Sequence, residues 1–396
     1  MRQKIITSFF TDLEKIYQYS ILHHADKVFS EEDDIDFIVN CDRSKMLSFV
    51  KEFSNRNNLL LGNHYTIDKS IYRFDIFCFV NNVFKKIELD CACNSNSGDL
   101  LKIQCQNLLI NKMTVQVDGM SFFKISNADE IEYYIKKKAF KNSDISSYTN
   151  YFKSLDKVIT EEFIISRYQY WQDYFRSISY KTKYIKNKAS LLIKRIFEKP
   201  ALSISFLGSD GSGKSTIIEA VKKYPLFINY YYYHLKPLKH GNTLNAGEIV
   251  IDPHKFPPYS KFKSYIKLCY LIGQYSLGWL INITPLTIKS SLVIFDRYFD
   301  DLLVDNRRYR YGGDIKFAKF ARIFIPRPDM YFILTADATV IYERKQEVAF
   351  TELERQIEEY RRLADDKRYF NIDVNRTPEE ITKEIVNIMM EKMNER

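Results

Sequence analysis

The chain has 396 residues and a net charge of +9, with 45% of its residues apolar. That length exceeds what one core normally serves, so two domains are expected, and the apolar share is that of a soluble globular protein able to bury ordinary cores. The positive charge suits nucleotides, phosphorylated sugars, nucleic acid or an acidic membrane surface, without choosing among them.

From the N-terminus, Met1-Arg2-Gln3-Lys4 leads directly into an amphipathic stretch with no apolar signal core, so no secretion signal is expected and a cytoplasmic location is. The periodicity predicts a helix over Thr7–Tyr19 and a second over Ser44–Asn55. Strand-like runs are Ile35–Asn40, Tyr72–Val80, Phe84–Ala92 and Thr114–Val117. The string Asp33-Asp34-Ile35-Asp36-Phe37-Ile38-Val39 stands out, because on a strand Asp34 and Asp36 share a face. Two adjacent carboxylates repel unless a cation lies between them, and a third acid, Asp90, ends the run Lys86–Asp90. The six cysteines lack zinc spacing; Cys91 and Cys93 share one strand face, and free buried thiols are expected.

A first domain therefore covers 1–126. A helical linker region follows over 127–199, with helices at Glu130–Phe140 and Glu161–Lys194. The end of the second is basic, with Lys181, Lys183, Lys186, Lys188, Lys194 and Arg195. It reads as a solvated face between domains, with peripheral membrane or nucleic-acid contact as the alternatives.

Residues 200–396 alternate strands and helices. Strands are expected at Leu202–Leu207, Leu292–Asp296, Met330–Thr335 and Tyr369–Asp373, and helices at Ser215–Tyr224, Thr339–Lys345, Leu353–Ala364 and Glu379–Lys392. Such alternation implies a parallel sheet covered on both faces. Leu268–Ile288 carries no charge, but Gly273, Gln274, Gly278, Asn282 and Pro285 interrupt it, so it reads as a buried helix ending near Pro285, not a membrane span.

The chemistry centres on the loop between the first strand and helix of this part, Gly208-Ser209-Asp210-Gly211-Ser212-Gly213-Lys214-Ser215-Thr216. Its glycines let successive N–H groups turn inward toward phosphate oxygens, and the helix that follows adds its positive end. Lys214 then reaches the β- and γ-phosphates of ATP, and Ser215 ligates Mg²⁺. Asp296, ending an apolar strand, is the second metal-side group.

Phe206–Thr216 resembles the phosphate loop of the thymidylate kinase family, as Asp296-Arg297-Tyr298 resembles its Asp-Arg-aromatic motif. Tyr342-Glu343-Arg344-Lys345-Gln346-Glu347 is similar to the start of its lid, and Asn371–Asn375 with Pro378–Ile381 to its last strand and helix. The resemblance implies an ATP- and Mg²⁺-dependent kinase in which Asp210 approaches the acceptor's sugar, Arg297 grips its phosphate and Arg344 stabilises the moving phosphoryl group. The branch resembled is the divergent one often encoded near surface-polysaccharide genes. Here the usual thymidylate-binding sequence gives way to Arg307-Arg308-Tyr309-Arg310-Tyr311, with Asp252-Pro253-His254-Lys255 upstream. Tyr298, Asp300, Arg307, Arg308 and Arg310 are the candidate acceptor contacts, for a nucleotide or a sugar-type or glycan acceptor. His254 reads equally as a site residue or as a satisfied loop histidine.

Asp34, Asp36 and Asp90 resemble the acid set with which the nucleotidyltransferase fold holds two Mg²⁺ ions. That fold carries a Gly-Ser or Gly-Gly pair before the first acid, where this chain has Ile21-Leu22-His23-His24-Ala25. Two further functional readings compete with a small-molecule kinase. One is a nucleic-acid end-processing enzyme, pairing a polynucleotide kinase with a nucleotidyltransferase-like domain. The other is a regulatory nucleotide-binding protein whose first domain is inactive.

Overall fold

A computed structural model of the chain describes residues 1–30, 34–67, 71–80, 83–93, 105–238 and 254–395; Asp33, Asp252 and Pro253 lie outside them. The chain is an α/β protein with two sheets and divides into two compact units, Met1–Glu198 and Lys199–Arg396.

The first unit holds strands β1 (Tyr19–Ile21), β2 (Ile35–Val39), β3 (Leu60–Thr66), β4 (Ile71–Val80), β5 (Val83–Cys93), β6 (Met113–Val117) and β7 (Met120–Lys124). They form one mixed sheet in the order β3-β4-β5-β2-β1-β7-β6. Strand alternation sends Phe37 and Val39 into a core with Phe9, Phe10 and Phe53 of two covering helices. Ile38 and Ala92 point the other way, toward Tyr133 of the helix Asn127–Lys141. The acids Asp36 and Asp90 belong to this second face, because β2 and β5 run parallel with Asp36 opposite Asp90.

The first helix spans Arg2–Glu14, not Thr7–Tyr19, because Ile5, Ile6, Phe9, Phe10 and Leu13 make its buried stripe while Tyr19 is drawn into β1. The stretch 127–198 packs within the first unit around its own core of Ile135, Phe152, Trp171 and Phe175. The expected helix Glu161–Lys194 is two, Glu161–Arg176 and Ile178–Phe197. Ser177 breaks it in extended conformation (ψ 149°) and caps the second helix by accepting from the Tyr180 N–H.

The second unit is a five-stranded, wholly parallel sheet. Its strands are β8 (Leu202–Leu207), β9 (Asn229–His234), β10 (Ser291–Asp296), β11 (Met330–Thr335) and β12 (Tyr369–Asp373), in the order β12-β11-β8-β10-β9. Strands β8, β10 and β11 are buried along their whole lengths, as continuous apolar runs in doubly covered parallel sheets are. β8 is central and its neighbours lie on opposite sides, so a crevice opens at its carboxyl end, where the glycine loop begins.

The apolar stretch Leu268–Ile288 belongs to a helix that starts at Lys261, passes through a wide turn at Trp279–Ile283 and closes with Thr284–Thr287, where Pro285 sits in the first turn. It is not buried throughout: Tyr270, Leu277, Leu280 and Ile281 are exposed. No helix among the described residues is long and apolar enough to cross a membrane. The thiols of Cys41, Cys78, Cys91 and Cys93 are buried, with the Cys91 and Cys93 sulfurs 3.5 Å apart, whereas Cys269 is exposed.

Candidate functional site

At the end of β8 the backbone leaves ordinary space. Gly208, Gly211 and Gly213 have φ of 141°, 87° and 84°, a region open to glycine at little cost. The helix Lys214–Lys222 begins immediately after. Lys214 is buried, and its Nζ donates to the carbonyls of Gly208 and Ser209, both at 2.8 Å. Burial and the nearby Arg297 push its ammonium down to about 8, against the pull of Asp210, Asp296 and Asp301. Ser215 and Thr216 open the helix on its exposed side.

Asp296 ends β10 opposite Phe206 of β8, which sets its carboxylate at the same crevice. One oxygen accepts from the Tyr232 hydroxyl at 3.0 Å; the other, Oδ1, is buried without a partner. Burial pushes this carboxyl up, but His234 and Lys214 outweigh it and hold it below the usual range. An orphaned oxygen at the strand end and the exposed Ser215 hydroxyl at the helix start are the donor set a hard divalent cation takes, so these residues fit Mg²⁺.

Arg297 follows directly, in the left-handed region (φ 64°), its N–H held by the Phe206 carbonyl at 2.9 Å. Its guanidinium is buried, paired with Asp301 through Nη1 and with Asp210 through Nη2. Arg308 also reaches Asp210, and its Nε donates to Asp305 at 3.3 Å. Burial raises Asp210, but Arg297, Glu347, Lys214 and Arg308 together hold it far below the usual carboxylate range. Two arginines thus converge on one loop carboxylate beside the phosphate cradle, and the Lys214 charge acts on it without a direct bond. The end of the helix Ala338–Arg344 is close by: a Cβ on Gly211 would lie 3.1 Å from both the Ile341 carbonyl and the Lys345 Cβ. Arg344 ends the helix Ala338–Arg344 and is exposed.

Other expected acceptor contacts are placed elsewhere. The Tyr298 ring is fully buried and its hydroxyl donates to the Pro326 carbonyl at 2.7 Å, so it serves the core. Asp300 is buried against Arg322 (2.7 Å) and Tyr369 (3.0 Å), which corrects its expected role toward an acceptor hydroxyl. Arg310 lies over the Tyr259 ring at 4.2 Å and donates to Pro257, while Arg307 is exposed. His254 is satisfied by Asp305 at 2.8 Å. The residues missed were Asp301 and Tyr360, whose hydroxyl donates to the Asp301 carboxylate. Asp301 could have been found as the acid four positions after Arg297.

In the first unit Asp34, Asp36 and Asp90 do come together, with ligand atoms all within 4.8 Å of one another. Basic side chains of the chain itself already hold them. Arg73, opposite Asp90 in the β4–β5 register, donates to both its oxygens at 2.7 Å and to Asp34 at 3.0 Å. His23 and Lys137 take Asp36 at 2.6 and 3.3 Å, and Tyr134 bonds the other His23 nitrogen at 3.2 Å. Burial pushes Asp90 up to about 7, whereas His23 and Lys137 overcome burial and hold Asp36 at about 2. With Arg73 across Asp34 and Asp90, these residues do not fit a metal pair as they stand.

The left-handed glycines, the inward lysine and the strand-end acid define a P-loop in a parallel α/β unit. Two thymidylate kinases are among the solved structures similar to the chain. A thymidylate kinase from Ehrlichia chaffeensis is 19% identical, with a TM-score of 0.33 over 48% of this chain and 98% of that one. A thymidylate kinase from Candida albicans is 15% identical, with a TM-score of 0.35 over 50% and 94%. No protein-family model matches the chain, and no curated protein does.

Proposed function

We propose that the second unit is a phosphotransferase that moves the γ-phosphate of ATP to an anionic acceptor, a nucleotide or a phosphorylated or carboxylated sugar. The observation that carries this reading is the convergence of Arg297 and Arg308 on Asp210, in the same loop whose carbonyls hold Lys214. Phosphoryl transfer asks mainly for positioning and neutralisation of charge on the moving group. Lys214 leaves its loop carbonyls for the β- and γ-phosphates. Ser215 and Asp296 hold Mg²⁺, which when bound supplies further neutralisation. Arg297 and Arg308, paired with Asp210 in the absence of ligand, turn to the acceptor's anionic group, and Asp210 is released to orient its hydroxyl or sugar. Arg344 closes from the lid. The test is ³¹P detection of products from ATP–Mg²⁺ with a panel of nucleotides, sugars and oligonucleotides, with Lys214→Ala as blank. Binding of ATP with no transfer to any acceptor overturns the proposal.

For the first unit the contacts of Arg73 favour a second reading, a nucleotidyltransferase-like domain that binds without transferring. An arginine in the place of a divalent ion neutralises the acids but offers no open coordination position for a substrate oxygen.

A further inference from the structure

The helix Ile178–Phe197 carries its apolar stripe on the wrong side for a core. Ile178, Ile185, Leu192 and Ile196, spaced by seven, seven and four residues, form one face, and they are 85%, 66%, 45% and 46% exposed, with Ile193 beside them at 59%. The opposite face is the one that packs: Tyr180 lies 4.9 Å from Phe175, and Arg195 donates to the Thr66 carbonyl at 2.7 Å. The outward orientation is therefore fixed by contacts at both ends of the helix. Helical spacing sets exposed Lys181 and Lys188 along one border of the stripe and exposed Lys186 along the other, with exposed Lys183 further round on that side. No acidic residue occurs between Ile178 and Phe197.

We propose that this helix lies on an anionic lipid bilayer, its aliphatic stripe among the acyl chains near the headgroups and its lysines on the lipid phosphates. Charge complementarity and side-chain chemistry select the partner. Aliphatic groups between two lysine rows gain by leaving water into lipid, while each lysine gains from a negative surface potential. A nucleic acid would meet the same lysines but find aliphatic side chains where stacking asks for aromatic rings. A second copy of the chain would bring the lysine rows against each other.

The test is co-sedimentation of the full chain with vesicles of phosphatidylcholine alone and of phosphatidylcholine mixed with phosphatidylglycerol. Partition onto the mixed vesicles is expected to be at least about tenfold stronger and to weaken with salt. Ile185→Glu with Leu192→Glu should lower it by about tenfold or more, with circular dichroism unchanged because both sites are exposed. Lys181→Ser with Lys188→Ser, which leaves the apolar stripe intact, should lower it similarly. Absence of partition, or partition that Ile185→Glu with Leu192→Glu leaves unchanged, overturns the proposal. So does oligonucleotide binding without vesicle binding, or a dimer that this apolar variant dissociates while vesicle binding persists.

Discussion

Arg297 donates from Nη1 to both oxygens of Asp301, at 3.0 and 2.9 Å, with the two side chains 6% and 0% exposed. Removing one partner of such a pair leaves the other charged in a place water does not reach. Asp301→Asn should therefore destabilise the second unit by about 3 kcal/mol, read from the urea midpoint. An unchanged midpoint would mean that Asp210 alone suffices to hold the guanidinium.

Lys214 links pH to ligand binding. Its folded value, about 8, lies below the ordinary 10.5, so the unfolded chain binds more protons between those limits and the unliganded unit gains stability as pH rises through them. Phosphate binding needs the ammonium, so nucleotide affinity should fall as pH rises above about 8. Isothermal titration from pH 6 to 10 reads this; Lys214→Met should bind weakly with a flat profile, and a sloping one would assign the titration to another group.

Gly208→Ala probes the loop without touching a charge. With φ at 141°, an added Cβ would sit 2.6 Å from the Leu334 carbonyl, a backbone atom that cannot swing aside. A loss of about 2 kcal/mol or more in stability and of ATP binding is expected. Retained binding would show that β8 and β11 can spread at this point.

Arg73 can be tested as a built-in cation. In an Asp296→Asn background, which removes the P-loop carboxylate, Arg73→Met should create a Mn²⁺ site visible by electron paramagnetic resonance and lost again on adding Asp90→Asn. If protein with Arg73 intact already takes up Mn²⁺ in a way that Asp90→Asn abolishes, the arginine is displaced by metal and the first unit regains a case for catalysis.

Asp36 contributes stability that is complete above its ordinary 3.8 and lost as pH falls toward its folded value of about 2. The difference amounts to about 2 kcal/mol. Lys137→Ala should flatten this acid limb in urea unfolding between pH 5 and 2; an unchanged slope would leave His23 as the whole cause.

The second unit was legible in the sequence because its strands are continuous apolar runs and its loop glycines have one physical use. β9 was missed: Asn229-Tyr230-Tyr231-Tyr232-Tyr233-His234 is an edge strand with polar ends, and only its pairing with β10 makes it a strand. In the first unit β1 and β3 escaped for a similar reason, being short or polar segments that depend on neighbours far along the chain. The acids were visible as a pattern, but Arg73, His23 and Lys137 come from two other strand regions and a helix. Register alone unites them: Arg73 opposite Asp90, and Asp90 beside Asp36.

The bonds from Lys214 to the Gly208 and Ser209 carbonyls make ligand arrival a substitution, in which two neutral acceptors leave and another acceptor takes their place. A hydroxyl or amide oxygen would only match what it displaces, leaving nothing over for affinity. A phosphate oxygen carries charge and forms the stronger bond, so the exchange runs forward for it alone. On the function proposed above, the loop would thereby reject uncharged molecules of the right shape before any metal or acceptor is present.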